Sequence, residues 1–123
     1  MANEIDFFNL DDLSRGIPRE LGPGLSTRIF VGDKAMLSIV TIAPNAQGNI
    51  HSHPEEQWGF MLAGDGVRIQ GGREVKVKVG DFWRTPGGTK HGFQAGPNGA
   101  RLLDVFSPPR AEYRKSGSGF AGS

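Results

Sequence analysis

Short runs of branched and aromatic residues, alternating with polar ones and cut by glycine and proline, set the rhythm of this 123-residue chain. Val75, Val77 and Val79 alternate with Lys76 and Lys78. That is the two-residue period of a strand with one apolar face and one face in water. Gly71-Gly72-Arg73 joins this run to Val67–Gln70, which predicts a hairpin. Ser26–Val31 and Ala35–Ala43 flank Gly32-Asp33 and predict a second strand pair. Pro44–Gly48 reads as a loop, and Trp58–Leu62 as a short strand closed by Gly64-Asp65-Gly66. Gly80-Asp81 turns into Phe82–Thr85, and Pro86-Gly87-Gly88 turns again. Lys90–Ala95 and Arg101–Phe106 read as the last two strands, separated by Gly96-Pro97-Asn98-Gly99. Many short strands with turns about every eight to twelve residues indicate an all-β sandwich or barrel.

Composition agrees with that reading. Nineteen glycines and eight prolines favour tight turns over long helices. At 37% apolar residues the chain supports one modest core, and chains this short often bury further surface by pairing, so a homodimer is expected. No interior segment reads as a linker and no repeat is visible. The expected organisation is an N-terminal arm over 1–25 with room for a short strand or helical turn, a single barrel domain over 26–110 and a flexible C-terminal tail over 111–123, Gly/Ser-rich at its end.

Net charge is +1 with the two signs interspersed. Non-specific nucleic-acid binding needs clustered Lys and Arg, so no nucleic acid is expected as a partner. No stretch approaches a membrane span, and the acidic start Met1-Ala2-Asn3-Glu4 lacks the basic and apolar regions of a signal peptide. A cytoplasmic protein without a membrane partner is the expectation. There is no cysteine, so any metal must sit on histidine and oxygen ligands.

The chain has three histidines. His51 and His53 are two apart, so on an extended strand both rings face one side while Ser52 points away. Gln57 follows at the start of the next strand. His91 comes after the 86–88 turn, which can return a distant strand to the first two. Imidazole nitrogen and amide oxygen suit first-row dications such as Mn, Fe, Co, Ni or Zn. The alternative on spacing alone is that the His51/His53 pair is accidental.

The stretch 51–64 reads H-S-H-P-E-E-Q-W-G-F-M-L-A-G, which resembles the first cupin motif with Gln57 where glutamate is usual. The stretch 80–91 reads G-D-F-W-R-T-P-G-G-T-K-H and resembles the second motif at every fixed position, with Ala95 where asparagine often follows. The resemblance covers residues 26–107. It implies a cupin jelly-roll β-barrel holding one divalent first-row ion through His51, His53, Gln57 and His91. Glu55 or Glu56 in place of Gln57 is the alternative fourth ligand. With Gln57 the ligand set is uncharged and leaves the ion's charge uncompensated, which favours Lewis-acid chemistry on an anionic or enolate-like ligand.

The second informative stretch is Leu102–Arg110, L-L-D-V-F-S-P-P-R. Asp104 and Phe106 share one strand face, and a carboxylate in an apolar run is unusual. One reading pairs Asp104 with Arg84 or Arg101; the other makes it functional. Together with H-S-H-P-x-E-Q, this ending resembles the small cupins that convert 4,5-unsaturated uronates to linear ketouronates in pectin and alginate breakdown. That resemblance implies a metal-dependent isomerase or lyase acting on a small anionic sugar. Asp104 and Phe106 would then be catalytic residues beside the sugar, with Arg110 on its carboxylate. The competing readings are an Fe- or Mn-dependent dioxygenase-type cupin and a non-catalytic sugar- or metabolite-binding cupin. Arg68, Gln70, Arg84 and Gln94 are candidates for the barrel mouth.

Overall fold

The computed structural model describes residues 5–114 and 117–118. Eight strands follow in chain order: β1 (Ile17–Gly22), β2 (Leu25–Val31), β3 (Met36–Ile42), β4 (Glu56–Gln70), β5 (Arg73–Lys78), β6 (Phe82–Thr85), β7 (His91–Ser107) and β8 (Gly117–Ser118). A 3-10 turn, Ala111–Arg114, precedes β8. The strands lie in the order β5-β4-β7-β3-β2-β1-β8, with β6 also on β4. Only the β1–β8 pair is parallel among the described strands.

Two long strands close the sheet into a jelly-roll barrel. β4 runs for 15 residues and β7 for 17. The first half of β4 lies between β6 and β7, and its second half between β5 and β7. The second half of β7 pairs with β3, while its first half is bridged by the 47–51 segment at Gln47–Gln94 and His51–His91. Each long strand thus passes from one side of the barrel to the other, as sheet closure requires.

This corrects two sequence expectations. Gly64-Asp65-Gly66 and Gly96–Gly99 are not turns between separate strands but lie within β4 and β7. The register shifts at Met61/Ala63 and again at Gly64/Gly66, so the glycines mark bulges that bend a continuous strand. Gly64 has φ 76°, and a Cβ there would stand 2.0 Å from the Gly99 carbonyl oxygen.

The inner face of the barrel carries the core. Leu25 and Ile29 of β2, Met36, Val40 and Ile42 of β3, Met61 of β4, and Leu102 and Phe106 of β7 are all buried. Their two-residue spacing is the alternation that predicted these strands. β5 departs from its predicted pattern. Val77 is buried, but Val75 is 42% exposed because β5 is an edge strand, and Val79, 58% exposed, falls in the turn beyond its end.

Both ends of the chain join the barrel further than expected. β1, Ile17–Gly22, is the short strand of the N-terminal stretch, and it pairs along β2. Beyond Arg110 the chain continues into the 3-10 turn and β8. Tyr113 of that turn is 2% exposed and belongs to the core. The Arg19 guanidinium of β1 stands 5.0 Å from the Tyr113 ring centre and donates to the Glu112 carbonyl at 3.2 Å. The end of the Gly/Ser-rich tail, 119–123, lies outside the described residues, as do 1–4 and 115–116. No helix of the described residues is long and apolar enough to cross a membrane.

Candidate metal centre

The backbone brings the three histidines together. His51 and His91 exchange both main-chain hydrogen bonds, at 2.9 and 2.8 Å, so their side chains emerge as direct neighbours. Their ring centres are 4.5 Å apart. His53 lies two residues on, with its ring 5.9 Å from His51 and 5.0 Å from His91. The His53 carbonyl accepts from Gly88 N at 2.8 Å, which fixes the 86–88 turn against it. Gly87 permits that contact, since a Cβ there would come within 2.2 Å of the Pro54 carbonyl oxygen. Gly87 of the second motif is therefore a steric requirement for the turn before His91 to pack against His53.

Each ring is held by its outer nitrogen. Nδ1 of His51, His53 and His91 faces the carbonyl oxygens of Asn49, Glu55 and Thr89 at 2.9, 3.1 and 2.8 Å. A carbonyl only accepts, so each Nδ1 carries the proton and each Nε2 presents a lone pair inward. The His91 Nε2 is buried and has no hydrogen-bond partner. One ligand atom from each ring fits within a mutual distance of 4.8 Å. Gln57, the first inward residue of β4, is 3% exposed and places Oε1 3.0 Å from His53 Nε2. Two lone-pair atoms about 3 Å apart have the spacing of adjacent ligands on one ion with bonds of about 2.1 Å. An orphaned nitrogen, three matched tautomers and facing acceptors fit a divalent cation.

Electrostatics agree. Burial pushes His91 down to about 3 and His51 to about 4, helped by the positive charges of Arg68 and Arg110 respectively. His53 is lowered by burial and by Arg110. All three rings are neutral at neutral pH, the form that binds metal. Neither flanking glutamate faces the inner nitrogens. The Glu55 carboxylate sits 3.3 Å from the outer nitrogen of His53, and Glu56 is exposed and accepts from Trp58 Nε1 at 2.8 Å.

His51 and His91 open onto a cavity of ≈ 40 Å³ inside the barrel. Gln57, Arg68, Asp104, Phe106 and Arg110 line it as well. Among the described residues Asp104 is the sole acid in this lining. As a residue it is half-buried, and the surface it keeps faces the cavity, so its carboxyl is shielded from bulk water. Burial raises it to about 6, opposed by Arg68, by a hydrogen bond from Gln57 and by Arg110. Gln57 thus donates its amide N–H to Asp104 while its oxygen faces His53. Phe106 meets His53 edge-on, with ring centres 5.5 Å apart at 71°. Arg110 is 1% exposed, its guanidinium 4.2 Å from the Tyr113 ring centre and 5.4 Å from that of Phe106.

Six of the seven residues singled out from the sequence therefore line one cavity, and the seventh, His53, stands beside it against Gln57 and Phe106. The suggested pairing of Asp104 with Arg84 or Arg101 does not occur. Arg84 is exposed on the outer face, and Arg101 donates to the Leu10 carbonyl at 2.8 Å. Arg84 and exposed Gln94 lie away from the cavity; Arg68 lines it. Tyr113 was missed as a wall residue, since a lone aromatic in a polar tail carries no periodic signal.

Comparison with known proteins places this arrangement. Residues 38–106 match the cupin domain family. The pectin degradation protein KdgF of Dickeya dadantii (strain 3937) is 31% identical over 96 residues, covering 76% of this chain and 87% of that protein. The structure of KdgF from Halomonas sp. superimposes with a TM-score of 0.75 at 25% identity, covering 86% of this chain and 94% of that one. Oxalate decarboxylase OxdC of Bacillus subtilis (strain 168) is 34% identical over 70 residues, 53% of this chain but 18% of that longer protein. With more than half of its length matched and KdgF similar over three quarters of it, this chain belongs to the cupin domain family, as a small cupin resembling KdgF.

Proposed function

We propose that this cupin is a metal-dependent enzyme that opens the ring of a 4,5-unsaturated uronate and releases the linear ketouronate. The observation that carries this reading is Asp104, a shielded carboxyl held near 6 in the same cavity as His51, His91 and Gln57. A group poised there takes and returns a proton at neutral pH. Likeness to two KdgF proteins, one named for pectin degradation, supports the substrate class.

In this reading His51, His53, Gln57 and His91 hold the ion, which when bound supplies Lewis acidity toward the sugar's oxygens. Asp104 accepts the anomeric hydroxyl proton. The C1 carbonyl forms as the C1–ring-oxygen bond breaks, and the electron pair passes to the ring oxygen as an enolate. Asp104 returns the proton to C4, leaving a ketone at C5. Atoms and charge balance without a redox partner. Arg110 binds the C6 carboxylate, and Phe106 closes the wall beside His53 against water.

The test is direct. Purified protein and 4,5-unsaturated galacturonate are mixed, and the absorbance of the conjugated double bond is followed. Loss of absorbance that requires metal and fails in Asp104→Asn supports the reading. Unchanged absorbance with Mn, Ni and Zn refutes it.

The same reading includes a homodimer. On the outer sheet face, Leu37, Val105 and Trp58 lie in one cross-strand row, and Ile39, Leu103, Phe60 and Phe82 in the next. Trp58, Phe60 and Phe82 are 43%, 39% and 65% exposed, a continuous apolar strip of the kind that marks an interface. Sedimentation is expected to show a dimer that Trp58→Glu dissociates.

A further inference from the structure

Arg68 is a buried cation that the fold does not explain. It projects inward from β4 and is 6% exposed. Its Nε donates to Gln70 Oε1 at 3.2 Å and its Nη2 to Thr85 Oγ1 at 2.8 Å. Thr85 in turn donates to Gln70 Oε1 at 2.7 Å, and Gln70 donates to the Arg84 carbonyl at 2.7 Å. The guanidinium is thereby fixed in orientation by neutral groups. Among the described residues no carboxylate lies within ion-pair distance of it, and its Nη1 makes no hydrogen bond. The indole of Trp83 covers one face, 5.4 Å from ring centre to guanidinium carbon.

Its position gives that free edge a purpose. Arg68 lines the histidine cavity and also the groove of ≈ 560 Å³ beyond it, where Trp83, Val75 and Arg73 form the walls. It is the strongest cationic influence on Asp104 and on His91. With Arg110 the cavity holds two guanidinium groups against one carboxylate, before any metal charge is counted. Buried positive charge of this kind is costly without an anion to meet it. A ligand with a single carboxylate satisfies Arg110 and leaves Arg68 open.

We propose that Arg68 is a catalytic oxyanion donor: its Nη1 edge receives the enolate oxygen that forms beside the substrate carboxylate as the ring opens. This rests on the uronate reading above and adds the requirement that the site bind two adjacent anionic oxygens, as in the enolate of a 2-oxo acid. The free ring oxygen of the substrate accepts only weakly. The enolate accepts strongly, so the interaction grows toward the transition state. The fixed guanidinium needs no reorganisation to make it.

Oxalate carries two adjacent oxyanions in the plane an enolate and its carboxylate would occupy, and acetate carries one. Zinc-loaded protein is titrated calorimetrically with each. Wild type is expected to prefer oxalate, and Arg68→Met to lose at least about tenfold of that preference while keeping its zinc and acetate affinities. Arg68→Lys restores part of it. With 4,5-unsaturated galacturonate, Arg68→Met lowers kcat more than it raises KM. An oxalate-to-acetate ratio unchanged in a folded Arg68→Met overturns the proposal. Should both variants fail to fold, the side-chain nitrogen resonances of Arg68 in zinc-loaded wild type decide. They shift on adding oxalate, and a silent spectrum overturns the assignment. Absence of zinc binding would instead sink the metal reading, and the same resonances in metal-free protein still test Arg68.

Discussion

Replacing Asp104 by asparagine tests the electrostatics of the cavity apart from catalysis. The amide would keep an oxygen to accept from Gln57 and would remove the ionisable group. In the metal-free protein the Asp104 carboxyl sits at about 6 against 3.8 when solvated. That difference corresponds to on the order of 3 kcal/mol of folding free energy. The folded value is the higher one, so the native state binds the extra proton. Its contribution to stability is fully present below 3.8 and is lost as pH rises through about 6. Above that pH the wild type carries a shielded carboxylate that the variant lacks. Urea denaturation of chelator-treated protein is therefore expected to show Asp104→Asn more stable at pH 8 by up to about 3 kcal/mol, or roughly 10 °C in Tm. The advantage shrinks on acidification and vanishes below about pH 4. Restoring Mn(II) narrows it at pH 8, because a nearby cation stabilises the carboxylate. A variant no more stable than wild type at pH 8, or a gap constant with pH, refutes this account of Asp104.

Three further outcomes follow from the same structure. In the Asp104→Asn background the buried histidines govern acid stability. Their folded values are depressed, so stability present above 6.5 is lost as pH falls toward about 4 for His51 and about 3 for His91, and a flat urea midpoint from pH 6.5 to 4 would contradict this. His91→Ala removes an inward lone pair and is expected to weaken Mn(II) or Zn(II) binding by at least about 100-fold in calorimetry, while Glu56→Gln, altered outside the cavity, leaves it unchanged. Gly64→Ala forces a Cβ onto the Gly99 carbonyl at positive φ and should cost more than about 2 kcal/mol, whereas Gly72→Ala, with open space around it, costs about 1 kcal/mol in the same melt.

What the sequence made legible was whatever a two-residue period or a fixed spacing encodes. β2, β3 and β6 lie within a residue or so of their expected bounds because alternation and turn glycines frame them. His51, His53 and His91 converge as their two motifs indicate. The continuity of β4 and β7 was hidden because glycine signals a bulge and a turn with the same residue, and the partner strand decides between them. Val75 and Val79 misled because alternation reports a possible buried face without reporting whether another layer covers it. The placing of the Glu55 carboxylate at the outer nitrogen of His53 turns on side-chain direction, which spacing alone does not carry. Arg19 and Tyr113 were silent because their contact joins two distant segments through one ring and one guanidinium.

β7 carries His91 at its first residue and Asp104 and Phe106 near its last. A slip of one position against β4 would turn those side chains outward. The His91 end of the cavity and its Asp104 end therefore become correct together or not at all. Because β7 must find partners as far back as β3, that alignment demands closure of long loops, a slow event in assembly. A half-assembled chain consequently offers scattered histidines and no trap for a cation, and metal capture serves as a read-out that the barrel has closed in register.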